Sequence, residues 1–309
     1  MYLEPETLDM FRQKGCRVTE QAPMAEYTTF HIGGPADYYV TAPTQQAVCS
    51  VLNVCRERDI PLMLIGKGSN LLVSDEGIEG VVLRLDSTVQ PIQCDENTGR
   101  LTAFCGASLA RVCREACEHG LTGLEFAYGI PGSVGGSIYM NAGAYGGQIA
   151  DILHSVTLLS PDTGRLRTLP VEDLQLNYRH SLLMDSGEIA VTAVFQLTSG
   201  TRDKIAARME ELMNKRRSKQ PLEYPSAGSF FKRPQGYFAA ALIDECGLKG
   251  FSVGDAQVSE KHAGFVINRG HASCRDMIAL KREVCRRVWE RFQVKLEPEV
   301  ALTGRNVSW

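Results

Sequence analysis

The segment from Gly129 to Gly147 constrains the fold more than any other part of the chain, because seven of its nineteen residues are glycine. Glycine reaches positive φ angles and allows another backbone to come close, so such a segment is either a flexible linker or a tightly packed loop. Large apolar side chains at Ile130, Val134 and Ile138 are interspersed among the glycines. We therefore predict an ordered loop that depends on positive φ angles and close backbone approach.

A second glycine turn, Gly66–Asn70, directly follows the apolar run Leu62–Ile65. Backbone N–H groups at glycines can approach an anion, and the side chains of Ser69 and Asn70 add donors. The spacing fits neither the Walker A motif nor the G-x-G-x-x-G fingerprint, so an ordinary tight turn explains this stretch equally well. Together with the Gly129–Gly147 segment, the turn suits a pyrophosphate held between two loops. A glycine-rich crossing between domains is the alternative interpretation of the longer segment.

The spacing of apolar residues predicts a chain in which strands and helices alternate. The predicted helices cover residues 45–58, 108–119, 201–215, 239–246 and 275–291. The predicted strands cover residues 37–41, 62–65, 80–85, 101–104, 155–159, 189–197 and 294–300. Ser273 and Asp276 predict a capping box at the start of the last helix. The basic run Lys215–Arg217, followed by Pro221, is the best candidate for a domain boundary, and a smaller α+β region follows it.

Composition argues against several classes of function. A formal charge of -3 over 309 residues gives no bulk electrostatic reason to bind nucleic acid or a membrane surface. No apolar run is long enough to cross a bilayer, and residues 1–14 do not resemble a secretion signal, so we expect a cytoplasmic protein whose ten cysteines are reduced. We expect no metal site, because Cys113 and Cys117, with only His119 nearby, are more typical of small buried side chains.

Three further stretches place polar side chains in short, turn-like sequences. Arg179, in Tyr178–Ser181, offers a planar fork of donors for a carboxylate, although the end of a surface strand has the same pattern. Ser229 follows small residues and precedes two aromatics, which describes either an exposed hydroxyl or an ordinary turn into a strand; it does not lie in a G-x-S-x-G elbow. Glu297 and Glu299 lie on one face of the predicted last strand, as in a solvated edge strand.

These five stretches, taken in their order along the chain, resemble the UDP-N-acetylenolpyruvoylglucosamine reductases. The resemblance also covers Thr28–Ala36 and Asp255–Phe265, and it extends over residues 27–300. Seven motifs in register are far more specific than any one of them. The compact Tyr178–Ser181 stretch and the short C-terminus are similar to the shorter, second type of this family. The tail Ala301–Trp309 departs from the family's usual ending.

The resemblance implies an α+β fold in which a two-part FAD-binding region of the vanillyl-alcohol-oxidase-like (PCMH-type) fold precedes a smaller α+β substrate-binding domain. It implies FAD-binding subdomains over residues 1–85 and 86–200, and a substrate domain over residues 201–309. FAD is then bound non-covalently, with His31 no more than a neighbour. The implied cofactor-binding residues are Gly66, Lys67, Gly68, Ser69, Asn70, Pro131, Gly132, Ser133, Gly135, Gly136, Asn141, Gly143 and Ala144.

The resemblance also implies a reaction, the NADPH-dependent and FAD-mediated reduction of a UDP-sugar that carries an enolpyruvyl ether. This step yields UDP-N-acetylmuramate in peptidoglycan precursor synthesis. By the same resemblance, Arg179 and Glu299 stabilise negative charge on the substrate carboxylate, and Ser229 donates a proton to the neighbouring carbon. The implied substrate contacts are Tyr145, Lys219, Arg233 and Gln257.

The same residues argue against two alternatives to the reductase. A flavin oxidase of the same wider fold acts on another alcohol with oxygen, but it needs a base where this chain offers a proton donor. A non-catalytic flavin- or nucleotide-binding protein has no reason to keep Arg179, Ser229 and Glu299 together. NADPH as co-substrate comes from the resemblance alone. A monomer is the default expectation, because no heptad repeat or long apolar surface stretch indicates an interface.

Overall fold

The computed structural model describes residues 3–86 and 90–309. The chain divides into two compact units, and each has an apolar core of its own. Unit one comprises Met1–Thr19, Tyr38–Lys67 and Gly80–Lys215, and unit two comprises Glu20–Asp37, Gly68–Glu79 and Arg216–Trp309. Each unit therefore combines segments that are far apart in the sequence. The division into two FAD-binding subdomains and a substrate domain remains a prediction.

Four of the five predicted helices begin and end within a residue or two of the positions predicted from apolar spacing. Within the described ranges they are α1 (Pro5–Gln13), α2 (Gln45–Glu57), α3 (Leu109–Glu118), α4 (Val134–Tyr139), α5 (Leu182–Ser186), α6 (Arg202–Lys219), α7 (Ala239–Glu245) and α8 (Cys274–Phe292). Short 3-10 helices cover Met24–Glu26, Glu125–Ala127, Ile149–Asp151 and Val171–Leu174. Among the residues described, no helix combines the length and the apolar character needed to cross a membrane.

The strands are short and form several separate sheets. They are β1 (Arg17–Pro23), β2 (Pro35–Ala42), β3 (Leu62–Ile65), β4 (Leu71–Val73), β5 (Ile78–Leu85), β6 (Gln93–Asp95), β7 (Arg100–Phe104), β8 (Leu121–Thr122), β9 (Gly143–Ala144), β10 (Gly147–Gln148), β11 (Leu153–Leu159), β12 (Leu166–Pro170), β13 (Ile189–Gln196), β14 (Thr198–Ser199), β15 (Ser226–Ser229), β16 (Ser252–Val253), β17 (Ala256–Val258), β18 (Phe265–Asn268) and β19 (Ala301–Thr303). The larger sheets have the orders β1-β2-β5-β3, β12-β11-β13-β7-β6 and β15-β18-β17-β16. Strand β3 pairs in parallel with β5, which separates it from β2.

Helix α3 shows how local sequence determines an element of unit one. Ser108 is the N-cap, and its hydroxyl accepts a hydrogen bond of 3.3 Å from the N–H of Arg111. The buried side chains recur at helical spacing, as the prediction required. Gly120 follows the C-cap with a φ of 63°, a left-handed conformation that glycine adopts without strain.

Helix α8 is fixed at its start by two carboxylates in unit two. The predicted capping box is confirmed: Ser273 Oγ accepts from the N–H of Asp276 at 3.1 Å, and Asp276 Oδ2 accepts from the N–H of Ser273 at 2.9 Å. Asp75 supplies a second acceptor, which the sequence did not indicate. Its carboxylate accepts from the N–H groups of Cys274 and Arg275 at 2.7 and 3.2 Å. Negative charge at a helix N-terminus stabilises the helix.

Helix α6 extends four residues beyond its predicted end at Lys215. The basic run Lys215–Arg217 therefore lies inside the helix and does not terminate it. Arg and Lys are good helix formers, and their charges are favourable near a helix C-terminus. The helix ends at Lys219 because Pro221 disfavours helical geometry in the residue before it.

The predicted strand over residues 294–300 is wrong. Only an isolated bridge between Phe231 and Pro298 occurs there, and the last strand is β19, which pairs in parallel with β4. Pro298 has no N–H group to continue a ladder, so regular pairing is interrupted at this residue. Glu297 and Glu299 consequently do not lie on one face of a strand.

The glycine-rich segment contains more regular structure than the predicted loop. It includes the helix α4 and the antiparallel hairpin of β9 and β10. Its glycines mainly allow neighbouring residues to pack close to the backbone. A Cβ atom at Gly135 would lie 3.2 Å from Cys105 Cβ, and one at Gly147 would lie 2.7 Å from Phe126 Cδ1. Gly146 also has a positive φ, of 88°. The segment is ordered, as the interspersed apolar residues predicted.

Candidate functional site

Gly66 lies directly against the Gly129–Gly147 segment within unit one. A Cβ atom at Gly66 would lie 2.4 Å from Ser133 Oγ and 3.9 Å from Gly136 Cα, so a side chain here requires a shift. The Ser133 hydroxyl is buried and accepts a hydrogen bond of 3.2 Å from the N–H of Gly136 as the N-cap of α4. The structure therefore brings together residues from the two loops that the sequence proposed for one cofactor.

The backbone around Gly135 is held by the same unit. The N–H of Gly135 donates to Cys105 O at 2.8 Å, and the carbonyl of Gly132 accepts from the N–H of Leu109 at 3.0 Å. These bonds fix the Pro131–Gly136 segment against the start of α3. A loop with its backbone fixed on both sides of a serine is a rigid surface for a ligand.

Two cations lie beside the Gly66 turn. Ile65, the residue before Gly66, pairs with Arg84 in the parallel ladder of β3 and β5. Partial burial, and then the positive charge of Arg84, lower the pKa of Lys67. An anion bound here would favour the charged form of Lys67 and offset the repulsion, so the pair suits a phosphate-bearing ligand.

The remainder of the turn, Gly68–Asn70, belongs to unit two. Gly68 has a φ of 63°, and a Cβ atom there would lie 2.1 Å from the carbonyl oxygen of Tyr27. The carbonyl of Gly68 accepts a hydrogen bond of 3.2 Å from the N–H of Thr29. Thr29 Oγ1 is buried and has no hydrogen-bond partner within the described part of the chain. A buried hydroxyl without a partner is costly unless a ligand or water supplies one.

The hairpin of β9 and β10 carries the predicted contact Tyr145 at its tip. Tyr145 and Gly146 form the two-residue turn, with φ angles of 54° and 88°. Such paired left-handed residues are typical of tight hairpins, although tyrosine is an unusual choice. The Tyr145 side chain is exposed. Asn141, just before the hairpin, is buried instead.

Arg179 lies at the tip of a tight turn, which corrects the alternative of a surface strand end. The N–H of Asn177 donates to His180 O at 3.1 Å, and the N–H of His180 donates to Asn177 O at 3.2 Å. Arg179 has a φ of 55°, and its guanidinium lies 5.0 Å from the centre of the Tyr178 ring. The turn projects a cation whose position depends on a strained backbone and on a cation–π contact.

Ser229 ends β15 in unit two and its side chain is exposed. The register shifts between Ser226 and Ser229, where Gly228 has a φ of 75° and forms an irregularity in the strand. Phe230 and Phe231, immediately afterwards, are buried and pack edge to face with their ring centres 5.1 Å apart. The two rings therefore fix the backbone that presents the Ser229 hydroxyl, as the sequence predicted.

Glu299 is brought to the same place by hydrogen bonds that no sequence pattern indicated. Its N–H donates to Phe230 O at 2.8 Å, and Asn70 Nδ2 donates to Glu299 O at 3.0 Å. The carbonyl of Asn70 in turn accepts from the N–H of Ala301 at 2.9 Å. Asn70 was predicted as a donor to an anion, whereas its side chain contacts the backbone of a predicted catalytic residue.

The predicted substrate contacts differ in their surroundings. Lys219 and Arg233 are exposed, and the Arg233 guanidinium lies 4.6 Å from the centre of the Phe238 ring. Gln257 is buried, and its amide donates hydrogen bonds of 3.0 Å to Gly250 O and to Ser252 Oγ. The amide N–H groups of Gln257 thus stabilise the hairpin of β16 and β17.

The atypical C-terminal tail is anchored within unit two. Arg305 Nη2 donates to both carboxylate oxygens of buried Asp37, at 2.8 Å each. Ser74 Oγ donates to Arg305 O at 2.7 Å, and the N–H of Arg305 donates to Gly77 O at 2.9 Å. These contacts hold the chain that follows Glu299.

The cysteines play a packing role. All ten are free thiols, and Cys113 donates to Leu124 O at 3.3 Å. His119 instead forms an ion pair of 2.7 Å with Glu96. Over residues 3–86 and 90–309, no group of three or more His, Cys, Asp or Glu side chains is arranged to hold a metal ion.

Comparison with known proteins identifies the family. The family model described as UDP-N-acetylenolpyruvoylglucosamine reductase, C-terminal domain, matches residues 220–303, and the model described as FAD binding domain matches residues 36–169. A UDP-N-acetylenolpyruvoylglucosamine reductase from Agathobacter rectalis is 49% identical over 295 residues, which cover 92% of this chain and 93% of the relative. The chain belongs to this family.

Other members of the reductase family agree. The reductase from Lachnoclostridium phytofermentans is 47% identical, over 94% of each chain. The crystal structure of the UDP-N-acetylenolpyruvylglucosamine reductase from Thermus caldophilus matches with a TM-score of 0.77 and 36% identity, over 93% of this chain and 98% of that one. The expected fold is confirmed: an FAD-binding region precedes the family's C-terminal domain. The protein is an FAD-dependent oxidoreductase that reduces UDP-N-acetylenolpyruvoylglucosamine for peptidoglycan synthesis.

Proposed function

We propose that this reductase uses NADPH to convert UDP-N-acetylenolpyruvoylglucosamine to UDP-N-acetylmuramate, with Arg179, Ser229 and Glu299 as its catalytic residues. The observation that supports the assignment best is the arrangement around Phe230. Ser229 precedes Phe230 in the chain, and the N–H of Glu299 donates to its carbonyl at 2.8 Å. A hydroxyl-bearing residue and a carboxyl-bearing residue are thus held by one backbone contact.

The chain's residues fit FAD at the Gly66 turn. Within unit one, the close approach of Gly66 to Ser133 and the lowered pKa of Lys67 beside Arg84 suit a ligand with a pyrophosphate. When bound, FAD supplies hydride transfer from NADPH to the enolpyruvyl group. The backbone of Pro131, Gly132, Ser133, Gly135, Gly136, Gly143 and Ala144, together with Gly66, Lys67, Gly68 and Ser69, would hold it non-covalently.

Arg179 and Glu299 are proposed to stabilise charge. Reduction of the enolpyruvyl double bond moves negative charge onto the substrate carboxylate. Arg179, with a planar guanidinium, donates two parallel hydrogen bonds to such a carboxylate. Glu299 in its acid form donates one more. Donors that are already in place when charge develops lower the barrier more than donors that must reorganise.

Ser229 is proposed to donate the proton that completes the reaction. A serine hydroxyl is a weak acid in water, so it acts as a donor only toward a strongly basic carbon and only if it is held in place. The buried rings of Phe230 and Phe231 immobilise the adjacent backbone, and Gly228 lets the strand bend at this point. The Ser229 hydroxyl is therefore exposed on a rigid support.

The UDP-sugar is proposed to contact Tyr145, Lys219, Arg233 and Gln257. Lys219 and Arg233 are exposed cations suited to phosphates, and Tyr145 offers an exposed ring. Gln257 already donates its amide N–H groups within its hairpin, so its remaining contribution is an acceptor oxygen. We also propose a cytoplasmic monomer, and its free thiols are in line with a reducing compartment.

An anaerobic titration tests this function. The FAD-loaded protein is mixed with NADPH and then with the enolpyruvyl UDP-sugar, while flavin absorbance is recorded. We expect bleaching by NADPH, and full return with the enolpyruvyl compound but not with UDP-N-acetylglucosamine. Bleaching by an alcohol, with return only in oxygen, would instead identify an oxidase. Flavin that responds to neither NADPH nor the UDP-sugar would identify a non-catalytic binding protein.

A further inference from the structure

Both the amide nitrogen and the amide oxygen of the Asn141 side chain form hydrogen bonds inside unit one. It is 2% exposed, and its Nδ2 donates to Gln148 Oε1 and to the carbonyl oxygen of Asn177, each at 3.2 Å. Its Oδ1 accepts from the N–H of Ala150 at 3.0 Å. A primary amide has two N–H donors, and both are engaged. Asn141 therefore has no donor left for FAD, although the sequence placed it among the cofactor-binding residues.

The bond to Asn177 reaches the corner of the turn that carries Arg179. The carbonyl of Asn177 accepts from two donors: Asn141 Nδ2, and the N–H of His180, which closes the turn at 3.2 Å. Arg179 lies between Asn177 and His180 with a φ of 55°. Because a residue with a Cβ atom disfavours this conformation, contacts outside the turn must maintain it.

A second anchor lies on the other side of Arg179. Ser181 is completely buried, and its hydroxyl donates to the carbonyl of Tyr139 at 2.8 Å. The turn is thus tied at Asn177 and at Ser181 to one short segment, residues 139–141. Both ties come from side chains that are buried and distant in sequence from their partners. The segment and the turn form one rigid corner of unit one.

From this geometry we infer that Asn141 is a positioning residue for Arg179, with Ser181 as the second anchor. The inference rests on the proposed function, in which Arg179 stabilises charge on the substrate carboxylate. Asn141 acts by holding the carbonyl of Asn177, and so the backbone that orients the guanidinium. Displacement of a catalytic group by about 1 Å slows a reaction by about 100-fold. Loss of Asn141 should therefore slow the step that uses Arg179 and spare the step that does not.

The variant Asn141→Asp is the sharpest test. It keeps the size of the side chain and the acceptor for Ala150, but it replaces the Nδ2 donor with an oxygen that faces two other oxygens. We expect flavin return with the UDP-sugar to slow by about 30- to 100-fold, while bleaching by NADPH changes by less than about twofold. The control Gln148→Ala removes the other partner of Nδ2 and leaves the bond to Asn177, so it should leave both rates within about twofold.

Three results would overturn the inference. A shifted flavin spectrum or slower bleaching in Asn141→Asp would show that Asn141 acts on the cofactor. Equal slowing in Gln148→Ala would show a general loss of structure. In a double-mutant cycle, Asn141→Asp should slow flavin return by less than about threefold when Arg179→Ala is already present, because the guanidinium is then absent. Full additivity would show that Asn141 does not act through Arg179.

Amide hydrogen exchange gives a readout that is independent of activity. In Asn141→Asp, the His180 amide should exchange about tenfold faster or more, whereas Gln148→Ala should leave it unchanged. If the His180 amide exchanges at the wild-type rate in Asn141→Asp, the inference is contradicted, whether or not the activity of the variant changes. If wild-type flavin does not return with the UDP-sugar, the proposed function fails, and the exchange result still decides whether Asn141 holds the turn. Should Asn141→Asp not fold, Ser181→Ala tests the second anchor with the same expected pattern.

Discussion

The backbone N–H of Glu299 donates a hydrogen bond of 2.8 Å to the carbonyl oxygen of Phe230. Ser229 is the residue before Phe230, so this one bond ties the end of β15 to the chain that carries the carboxyl group. Asn70 Nδ2 holds the carbonyl of Glu299 at 3.0 Å and extends the same framework toward β4. Glu297, two residues earlier, is tied to the same segment, since its carbonyl accepts from the N–H of Lys232 at 2.9 Å, and it therefore serves as a matched control for Glu299.

The first prediction concerns the protonation state in which Glu299 acts. Glu299→Ala should slow flavin return with the UDP-sugar by about 100- to 1,000-fold, as expected when a donor to a developing charge is lost. Glu299→Gln should recover part of that loss, because an amide N–H replaces the proposed acid proton. Glu297→Ala, at an exposed position two residues away, is the matched control. Single-turnover absorbance gives the rates. If flavin return were slower in Glu299→Gln than in Glu299→Ala, the proposal that Glu299 acts in its acid form would be contradicted.

The second prediction concerns the contact between Gly66 and Ser133. Gly66→Ala places a Cβ atom 2.4 Å from Ser133 Oγ, and such overpacking should cost about 1–3 kcal/mol of unfolding free energy and weaken FAD binding. Ser133→Ala should cost about 1 kcal/mol, because α4 loses its N-cap. When Ser133→Ala is already present, Gly66→Ala should lower the unfolding free energy by little more, because the Oγ atom that it would clash with is absent. Urea unfolding and FAD titration of all four proteins measure the cycle, and an additive double variant would contradict the clash.

The third prediction concerns the anchor of the C-terminal tail. Arg305→Ala removes an ion pair of 2.8 Å from the carboxylate of Asp37, which is 6% exposed. Loss of this charged hydrogen-bond partner should lower the unfolding free energy by about 1.5–3 kcal/mol. Arg275→Ala removes a looser ion pair, at 3.6 Å to Glu76, whose arginine is 80% exposed, and should cost under about 1 kcal/mol. Urea midpoints distinguish the two, and equal losses would contradict the assignment of Arg305 as an anchor.

The fourth prediction is a loss of stability at alkaline pH. Burial raises the pKa of the thiols of Cys55, Cys113 and Cys274 from 9.0 to about 12 each. Below pH 9 these thiols are protonated in both states. Between pH 9 and 12 the unfolded chain loses protons that the folded protein keeps, so stability falls as pH rises, by about 1.4 kcal/mol per pH unit for each thiol. Urea unfolding in a reductant should show a shallower pH slope in Cys55→Ala, and an unchanged slope would contradict this origin.

Sequence reasoning succeeded where the structure depends on neighbouring residues. Helix α3 follows from apolar spacing within a few turns, and helix α8 also begins where its predicted capping box places it. It failed at Pro298, where a missing N–H outweighs an alternating pattern. It also failed to end α6 at Lys215, because a basic run is compatible with a helix and only Pro221 stops it.

The site required information that a linear pattern does not contain. The motifs identified Arg179, Ser229 and Glu299 through a family resemblance. The bonds that position them join residues far apart in the chain: Asn141 to Asn177, and Asn70 to Glu299. Such contacts depend on the completed fold. That Asn141 lines the cofactor stays a prediction, whereas the bonds of its amide to Gln148 and Asn177 are visible only in the folded chain.

The proposed role of Ser229 as proton donor can be tested with a single variant. Ser229→Ala, loaded with FAD and bleached by NADPH without oxygen, is mixed with the enolpyruvyl UDP-sugar beside wild type and Ser226→Ala, a control on the same strand. We predict bleaching within about twofold of wild type in all three, and flavin return slower by about 100-fold or more in Ser229→Ala alone. Return at the wild-type rate in Ser229→Ala would show that another group delivers the proton.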